Sequence, residues 1–237
     1  MRFYLPSINK SRPELTGDAH THAAYARRIR VGDNVTVFDG IGHDYECKVT
    51  EIKKDKTLLQ ILDAKENVGE STISVTLYLS VIKQDRFELA VQKATELGVK
   101  KIVPVYSAFT QRNFNLNYDR LNKIAISACE QCRRSVVPII EQAVDFDELL
   151  NRAKNSYMIF PWEHESNGTM REVLSGNNSA DISVFIGPEG GITESETSKL
   201  VALGAKSVTL GKRILRAETA AIAALSVIYY EMGEWHI

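Results

Sequence analysis

Two textures of hydrophobic patterning divide the chain. Over the first 70 residues the apolar positions fall in short β-type runs at 34–38, 46–52 and 57–62, with an Asp39-Gly40 turn signal after the first. A short helix is expected over 18–30, and the polar stretch 63–71, which carries Gly69, reads as a linker. From Ile73 onward the pattern changes. Continuous apolar runs at 73–81, 102–105, 157–160, 182–186 and 207–210 take turns with helical segments at 85–97, 119–134, 146–153, 193–202 and 216–232. Strands without an apolar/polar alternation, separated by helices, predict a mostly parallel sheet covered on both faces. Thr193-x-x-Glu196 is a capping box that fixes one helix start. The pattern predicts a small β-barrel-like domain over 1–70 and an α/β domain over 71–237.

Composition narrows the class. With 237 residues, 44% hydrophobic and 25% charged, the chain is a soluble globular type, which excludes long disorder and collagen-like or disulfide-dense scaffolds. The N-terminus carries no long apolar run of the kind a signal peptide needs. The longest uncharged stretches, 71–82 and 219–230, hold 12 residues each, short of the roughly 20 that span a bilayer. Three cysteines are a sparse, odd set and suggest a reducing cytoplasm. Cys129-x-x-Cys132 could be a redox pair or half a zinc site, but no second Cys/His pair exists at comparable spacing and the small-residue flanks read as a helix with both thiols on one buried face, so a structural role and no metal are expected.

A net charge of −1 speaks at first against a nucleic-acid partner. By segment it is lopsided: residues 1–70 are neutral overall, 71–140 carry +5 and 141–237 carry −6. Six of the Lys/Arg residues lie in the first 30 positions against two acids. Arg27, Arg28, Arg30, Arg112, Arg120, Lys123, Arg133 and Arg134 are either solvated charge on exposed faces or a basic surface for phosphates.

Two segments fall where an open α/β sheet places its ligand crevice, at the carboxyl ends of strands. Ile186-Gly187-Pro188-Glu189-Gly190-Gly191-Ile192 follows a strand and precedes the capped helix. Its glycines permit close backbone approach to a ligand; a tight connection alone would usually need one glycine, so a ligand loop is the favoured reading. Leu210-Gly211-Lys212-Arg213-Ile214-Leu215-Arg216-Ala217-Glu218-Thr219-Ala220 enters the last helix, whose N-terminus favours an anion. Glu218 is a dipole-compensating cap or a site carboxylate, and Arg216 its ion-pair partner or a site cation. No P-loop, no G-x-G-x-x-G and no Ser-His-Asp hydrolase signature occurs.

These segments, with 22–33, Phe38-Asp39-Gly40, 92–99, Pro104 and 123–132, resemble the RsmE family of bacterial 16S rRNA (uracil-N3)-methyltransferases, of the SPOUT class. The resemblance spans nearly the whole chain. It departs at Ser107-Ala108-Phe109, where the family commonly has Ser-Glu-Arg, and at Arg27, where an apolar residue is usual. The family implies a SPOUT α/β domain, trefoil-knotted with a mostly parallel sheet, behind a small N-terminal PUA-like β-barrel that binds RNA. It also implies a homodimer, the cofactor S-adenosylmethionine, and the small ribosomal subunit as partner, with no membrane or metal. By position the cofactor residues would be Phe160, Pro161 and Trp162; Gly187, Glu189, Gly190 and Gly191; Leu210, Gly211, Ile214 and Leu215; and Thr219 and Ala220.

The implied reaction methylates N3 of one uridine. That imide nitrogen must lose its proton and lies on the Watson–Crick edge, so the base has to be unpaired or flipped out. Glu218 is the candidate base or orienting carboxylate, and Arg216 the stabiliser of the developing uracil anion. His22, Arg27, Arg28, Arg30, Arg133 and Arg134 are the expected RNA contacts. An RNA-binding assembly factor with a vestigial cofactor site is the alternative.

Overall fold

The computed structural model describes residues 1–112 and 115–235. Its contacts divide the chain into two compact units: Met1–Glu70 with Ile126–Val137, and Ser71–Ala125 with Pro138–Ile237.

The first unit is a five-stranded sheet built from β1 (Arg2–Tyr4), β2 (Glu14–Thr16), β3 (Asn34–Phe38), β4 (His43–Ile52) and β5 (Lys56–Glu66). The strand order is β1-β3-β4-β5-β2, parallel between β1 and β3 and antiparallel elsewhere. Val35 and Val37 alternate with polar neighbours, and their inward face joins Phe3, Leu15, Tyr45 and Cys47 in one core. The Asp39 carboxylate accepts from the N–H groups of Ile41 (2.9 Å) and His43 (3.0 Å), closing the turn into β4. Residues 63–66, expected in a linker, are strand instead. Backbone pairing such as Asp44 with Lys65 carries β5 beyond its apolar stretch.

The helix expected over 18–30 is shorter. α1 (Gly17–Thr21) continues as a wider π-type turn, His22–Ala26, and stops before Arg27. Arg28 takes φ +52°, which reverses the chain and sends Ile29, 4% exposed, into the core.

The second unit contains β6 (Ser74–Ser80), α2 (Gln84–Leu97), β7 (Lys101–Tyr106), the start of α3 (Tyr118–Cys132), β8 (Ile139–Ile140), β9 (Val144–Asp145) and α4 (Phe146–Ala153). It continues with β10 (Tyr157–Pro161), α5 (Met170–Leu174), β11 (Asp181–Ile186), α6 (Glu194–Ala202), β12 (Lys206–Val208) and α7 (Ala217–Glu231). The strands run in the order β12-β10-β11-β6-β7-β8, with β9 also on β7, and every pairing is parallel. One core cluster joins Tyr78, Val103, Phe146, Leu149, Phe160, Phe185 and Leu200, while α2 packs on α7. The Thr193/Glu196 capping box forms in both directions, and Thr169/Glu172 makes a second one at α5. Among the described residues, no helix is long and apolar enough to cross a membrane.

Cys129 is buried and Cys132 half-buried on α3, and neither is in a disulfide. Burial pushes the Cys129 thiol up to about 12, which makes it a poor nucleophile.

Candidate cofactor cleft and nucleic-acid interface

The order β12-β10-β11 sets three strand ends, Val208, Pro161 and Ile186, side by side. The loops that leave them enclose a cleft of about 260 Å³. One wall is Pro161, Trp162 and Glu163; the second is the loop from Ile186 to Ile192; the third runs from Thr209 to Leu215 and ends on Ala217 and Ala220 of α7. Parallel-sheet ligand crevices form at such carboxyl ends because each loop there starts from a fixed strand.

Glu165 fixes the first loop. Its carboxylate accepts from the Ser207 hydroxyl and from the N–H groups of Asn167 (3.0 Å) and Gly168 (3.1 Å), and these bonds, the Ser207 one foremost, hold it down at about 2. Trp162 N–H donates to Val208 O at 3.0 Å, tying this loop to the neighbouring strand. The Trp162 indole Nε1 is buried on the cleft wall with no hydrogen-bond partner among the described residues. In the second loop Gly191 has φ +80°, and a Cβ there would lie 2.5 Å from Glu163 Oε1. Glycine therefore keeps peptide groups on the wall and leaves room for that carboxylate. Glu189 is half-neutralised by Arg86 of α2 at 3.0 Å.

Most of the expected cofactor residues converge here: Pro161, Trp162, Gly187, Glu189, Gly190, Gly191, Leu210, Gly211, Ile214, Leu215 and Ala220 all line the cleft. Ile214 does so while 89% exposed, as an apolar flap at the rim. Two expected residues lie off the wall. Phe160 is fully buried in the core behind it, and Thr219 faces solvent on α7. Thr209, Lys212 and Arg213 line the cleft without having been singled out as cofactor residues. Their membership of the same loop as Leu210 and Gly211 was the available signal.

Arg216 is the N-cap residue of α7 and is exposed, in extended conformation with φ −66° and ψ 153°. Glu218 sits in the first turn, 6% exposed, between two alanines that line the cleft. Its Oε2 has no hydrogen-bond partner among the described residues. A buried carboxylate oxygen without a donor costs free energy, and neither Arg216 nor Glu218 is among the residues that line the cleft.

The expected RNA contacts all belong to the first unit. Arg27, Arg28, Arg30 and Arg133 are exposed, and His22 is half-buried with Arg27 Nε 3.3 Å from its Nε2. Below them, burial pushes the Glu130 carboxyl up, against the pull of the Tyr4 N–H and of His22, Arg27 and Arg2. Arg28 (φ +52°) and Arg133 (φ +68°) both take left-handed conformations that disfavour a side chain.

Arg134 is a correction to the expected surface. Its side chain is 2% exposed and bonds Glu70, itself 3% exposed, through NH2 to Oε2 at 2.9 Å. Glu70 Oε1 also accepts from Val136 N–H at 2.9 Å. A guanidinium spent in this way cannot contact a phosphate. Arg2 extends the network, pairing with Asp44 and donating to Arg134 O at 2.6 Å, while Ser135 donates to Asp44 at 2.9 Å.

Comparison with known proteins agrees with this geometry. A family model described as RNA methyltransferase domain matches residues 69–229, and one described as RNA methyltransferase PUA domain matches 15–62. The chain belongs to the ribosomal RNA small subunit methyltransferase E family. The Rickettsia conorii member is 34% identical over 233 residues, covering 96% of this chain and 94% of its own. The Bacillus subtilis member is 29% identical, covering 92% and 89%. The crystal structure of the Neisseria gonorrhoeae member bound to S-adenosylmethionine is 32% identical, with a TM-score of 0.84 over 97% of this chain and 96% of that one. The fold is accordingly of the SPOUT methyltransferase class with an N-terminal PUA-like domain.

Proposed function

We propose that this chain transfers a methyl group from S-adenosylmethionine to N3 of a specific uridine in 16S rRNA of the small ribosomal subunit. The observation that carries the reading is the cleft itself: three loops from adjacent strand ends, glycine-rich on one side, in a member of a family that includes a cofactor-bound structure. The residues present fit such a cofactor. The unpartnered Trp162 Nε1 offers a buried donor, the Gly190–Gly191 backbone offers a wall free of side chains, and Leu210 and Leu215 offer apolar cover. When bound, S-adenosylmethionine supplies a methyl made electrophilic by its sulfonium, so no metal is needed.

The protein's own groups have three tasks. Glu218 accepts or orients the N3 proton of the uracil through its unpartnered Oε2. Arg216, exposed at the start of α7, faces the negative charge that develops on the uracil oxygens and stabilises it. Trp162 and the glycine loop hold the cofactor and exclude water. In the first unit His22, Arg27, Arg28, Arg30 and Arg133 grip phosphates, which positions the RNA without reading its sequence. The strained arginines at 28 and 133 support that role, since glycine would fit both backbone positions at lower cost.

Residues 1–70 are read as the PUA-like RNA-binding domain and 71–237 as the methyltransferase domain, with the knot its class carries. The working state is read as a homodimer in the cytoplasm, the second point in keeping with three cysteines in no disulfide. The test is methyl transfer from radiolabelled cofactor to small subunits lacking the modification. The wild-type protein should label N3 of one uridine, and R216A should lose at least a hundredfold in turnover while binding cofactor normally. Full turnover by R216A removes its assigned role. Absence of cofactor binding by calorimetry would favour an assembly factor instead.

A further inference from the structure

The loop after β7 carries a side chain that the fold does not use. Residues 107–110 are held by polar bonds: Ala108 N–H donates to Glu196 Oε1 at 2.8 Å, and Ser107 N–H to Thr110 Oγ1 at 3.0 Å. The hydroxyls of Ser80, Ser107 and Thr110 form a buried chain with spacings of 3.1 and 3.0 Å. Glu196 closes the α6 capping box with its other oxygen, so one carboxylate anchors this loop to the helix that follows the glycine loop. None of these bonds involves the Phe109 side chain.

Phe109 is nevertheless 54% exposed, a large apolar ring on a pinned turn. It lies directly against the cleft's glycine loop. A Cβ on Gly190 would come 2.8 Å from Phe109 Cβ and 3.3 Å from Cγ, so glycine at 190 is what admits the ring beside the mouth of the cleft. Next to Gly190 in sequence, Glu189 is paired with Arg86 at 3.0 Å, and three residues after Phe109 the Arg112 guanidinium sits 5.7 Å from the Tyr106 ring at the end of β7. A large exposed aromatic ring on a pinned turn beside a cleft matches the surface on which unpaired bases stack.

Building on the uridine methylation proposed above, we propose that Phe109 is a stacking platform for an unpaired pyrimidine at the mouth of the cleft. The ring meets the face of the base and makes no claim on its edge. The Watson–Crick edge, where N3 lies, stays free to enter the cleft. Phosphate contacts alone would hold the strand without fixing the plane of the base.

The test is steady-state methylation of unmodified small subunits by F109A, F109L and F109Y, with cofactor affinity by calorimetry and oligomeric state by light scattering. Stacking on one base predicts that F109A loses roughly 5- to 150-fold in kcat/KM for RNA. F109L should lose nearly as much, because bulk without a π-face does not stack, and F109Y should recover wild-type values. Cofactor affinity should stay within twofold, and the oligomeric state should not change. Wild-type kinetics in F109A overturns the proposal. So does an equal loss of cofactor affinity, which would make Phe109 a prop for the glycine loop, or a changed oligomeric state, which would make it a contact with a second copy. If the wild-type protein gives no methylation, the proposed activity fails and the platform fails with it; if it methylates while F109A matches it, only the platform fails.

Discussion

Replacing Arg134 with methionine should destabilise the first unit severely while leaving its RNA-facing charge intact. The substitution keeps the length of the side chain and removes a guanidinium that is 2% exposed. The Glu70 carboxylate, 3% exposed, then keeps the Val136 N–H but loses its charged partner. Breaking a buried pair from one side costs about 3–5 kcal/mol, because the remaining charge loses the guanidinium that offset its desolvation. At a urea slope of about 2–3 kcal/mol per molar, the midpoint falls by roughly 1–2.5 M. Glu70→Gln in the R134M background should restore part of the loss, since the glutamine carbonyl can still accept from Val136 without a buried charge. The double variant should cost no more than either single one, a coupling well outside additivity. Urea unfolding followed by circular dichroism at constant slope gives all four corners of the cycle. A midpoint for R134M within 0.3 M of wild type, or strictly additive costs, would refute the reasoning and return Arg134 to the surface.

Three further outcomes follow from the same geometry. R28A should weaken RNA binding and reduce the slope of log affinity against log salt by about 1, whereas R134M, once folded, should leave that slope unchanged; an unaltered slope in R28A removes it from the interface. G191A forces a side chain into φ +80° beside Glu163, at roughly 1–2 kcal/mol, so cofactor binding should weaken about 5- to 30-fold by calorimetry with the fold retained; unchanged affinity means that the loop does not touch the cofactor. Glu165 is held at about 2 against an ordinary 4.5, so its contribution is complete above pH 4.5 and is lost as the pH falls toward 2. E165Q should therefore flatten the acid limb of stability in that window and loosen the loop that carries Trp162. An acid limb identical to wild type would show that other carboxylates set it.

Much of the second unit was legible in the sequence because its apolar runs and helices are long enough to declare a period. The segments 74–80, 101–106, 157–161 and 181–186 are strands, one helix is capped by the Thr193/Glu196 box as its sequence predicts, and the last helix begins at the expected Arg216. The elements that were not anticipated, β1, β2, β8, β9 and α5, have two to five residues, too few to establish a period. Their existence depends on neighbours distant in sequence, such as β1 on β3 and β8 on β7. At the site, loop chemistry was legible and side-chain direction was not. Phe160 and Trp162 are two positions apart, yet the first lies inside β10 and fills the core while the second lies just past the strand end and lines the cleft. Where the strand stops decides between them, and strand ends are the least sharply marked feature of an apolar run. Arg134 failed for a related reason: a sequence displays its charge but not Glu70, 64 positions away, which takes that charge out of reach.

The charge distribution keeps its meaning after that correction. Arg27, Arg28, Arg30 and Arg133 remain exposed in the first unit, while the segment beyond position 140 carries a net charge of −6. A net charge of −1 therefore coexists with a local basic surface, and binding should depend on that surface and on the cleft more than on attraction to any polyanion.

The most direct measurement is mass-spectrometric nucleoside analysis of small-subunit rRNA from cells lacking this protein. N3-methyluridine should disappear from that RNA and return when the wild-type chain, but not R216A, is restored. Persistence of N3-methyluridine in the absence of the protein would contradict the proposed activity.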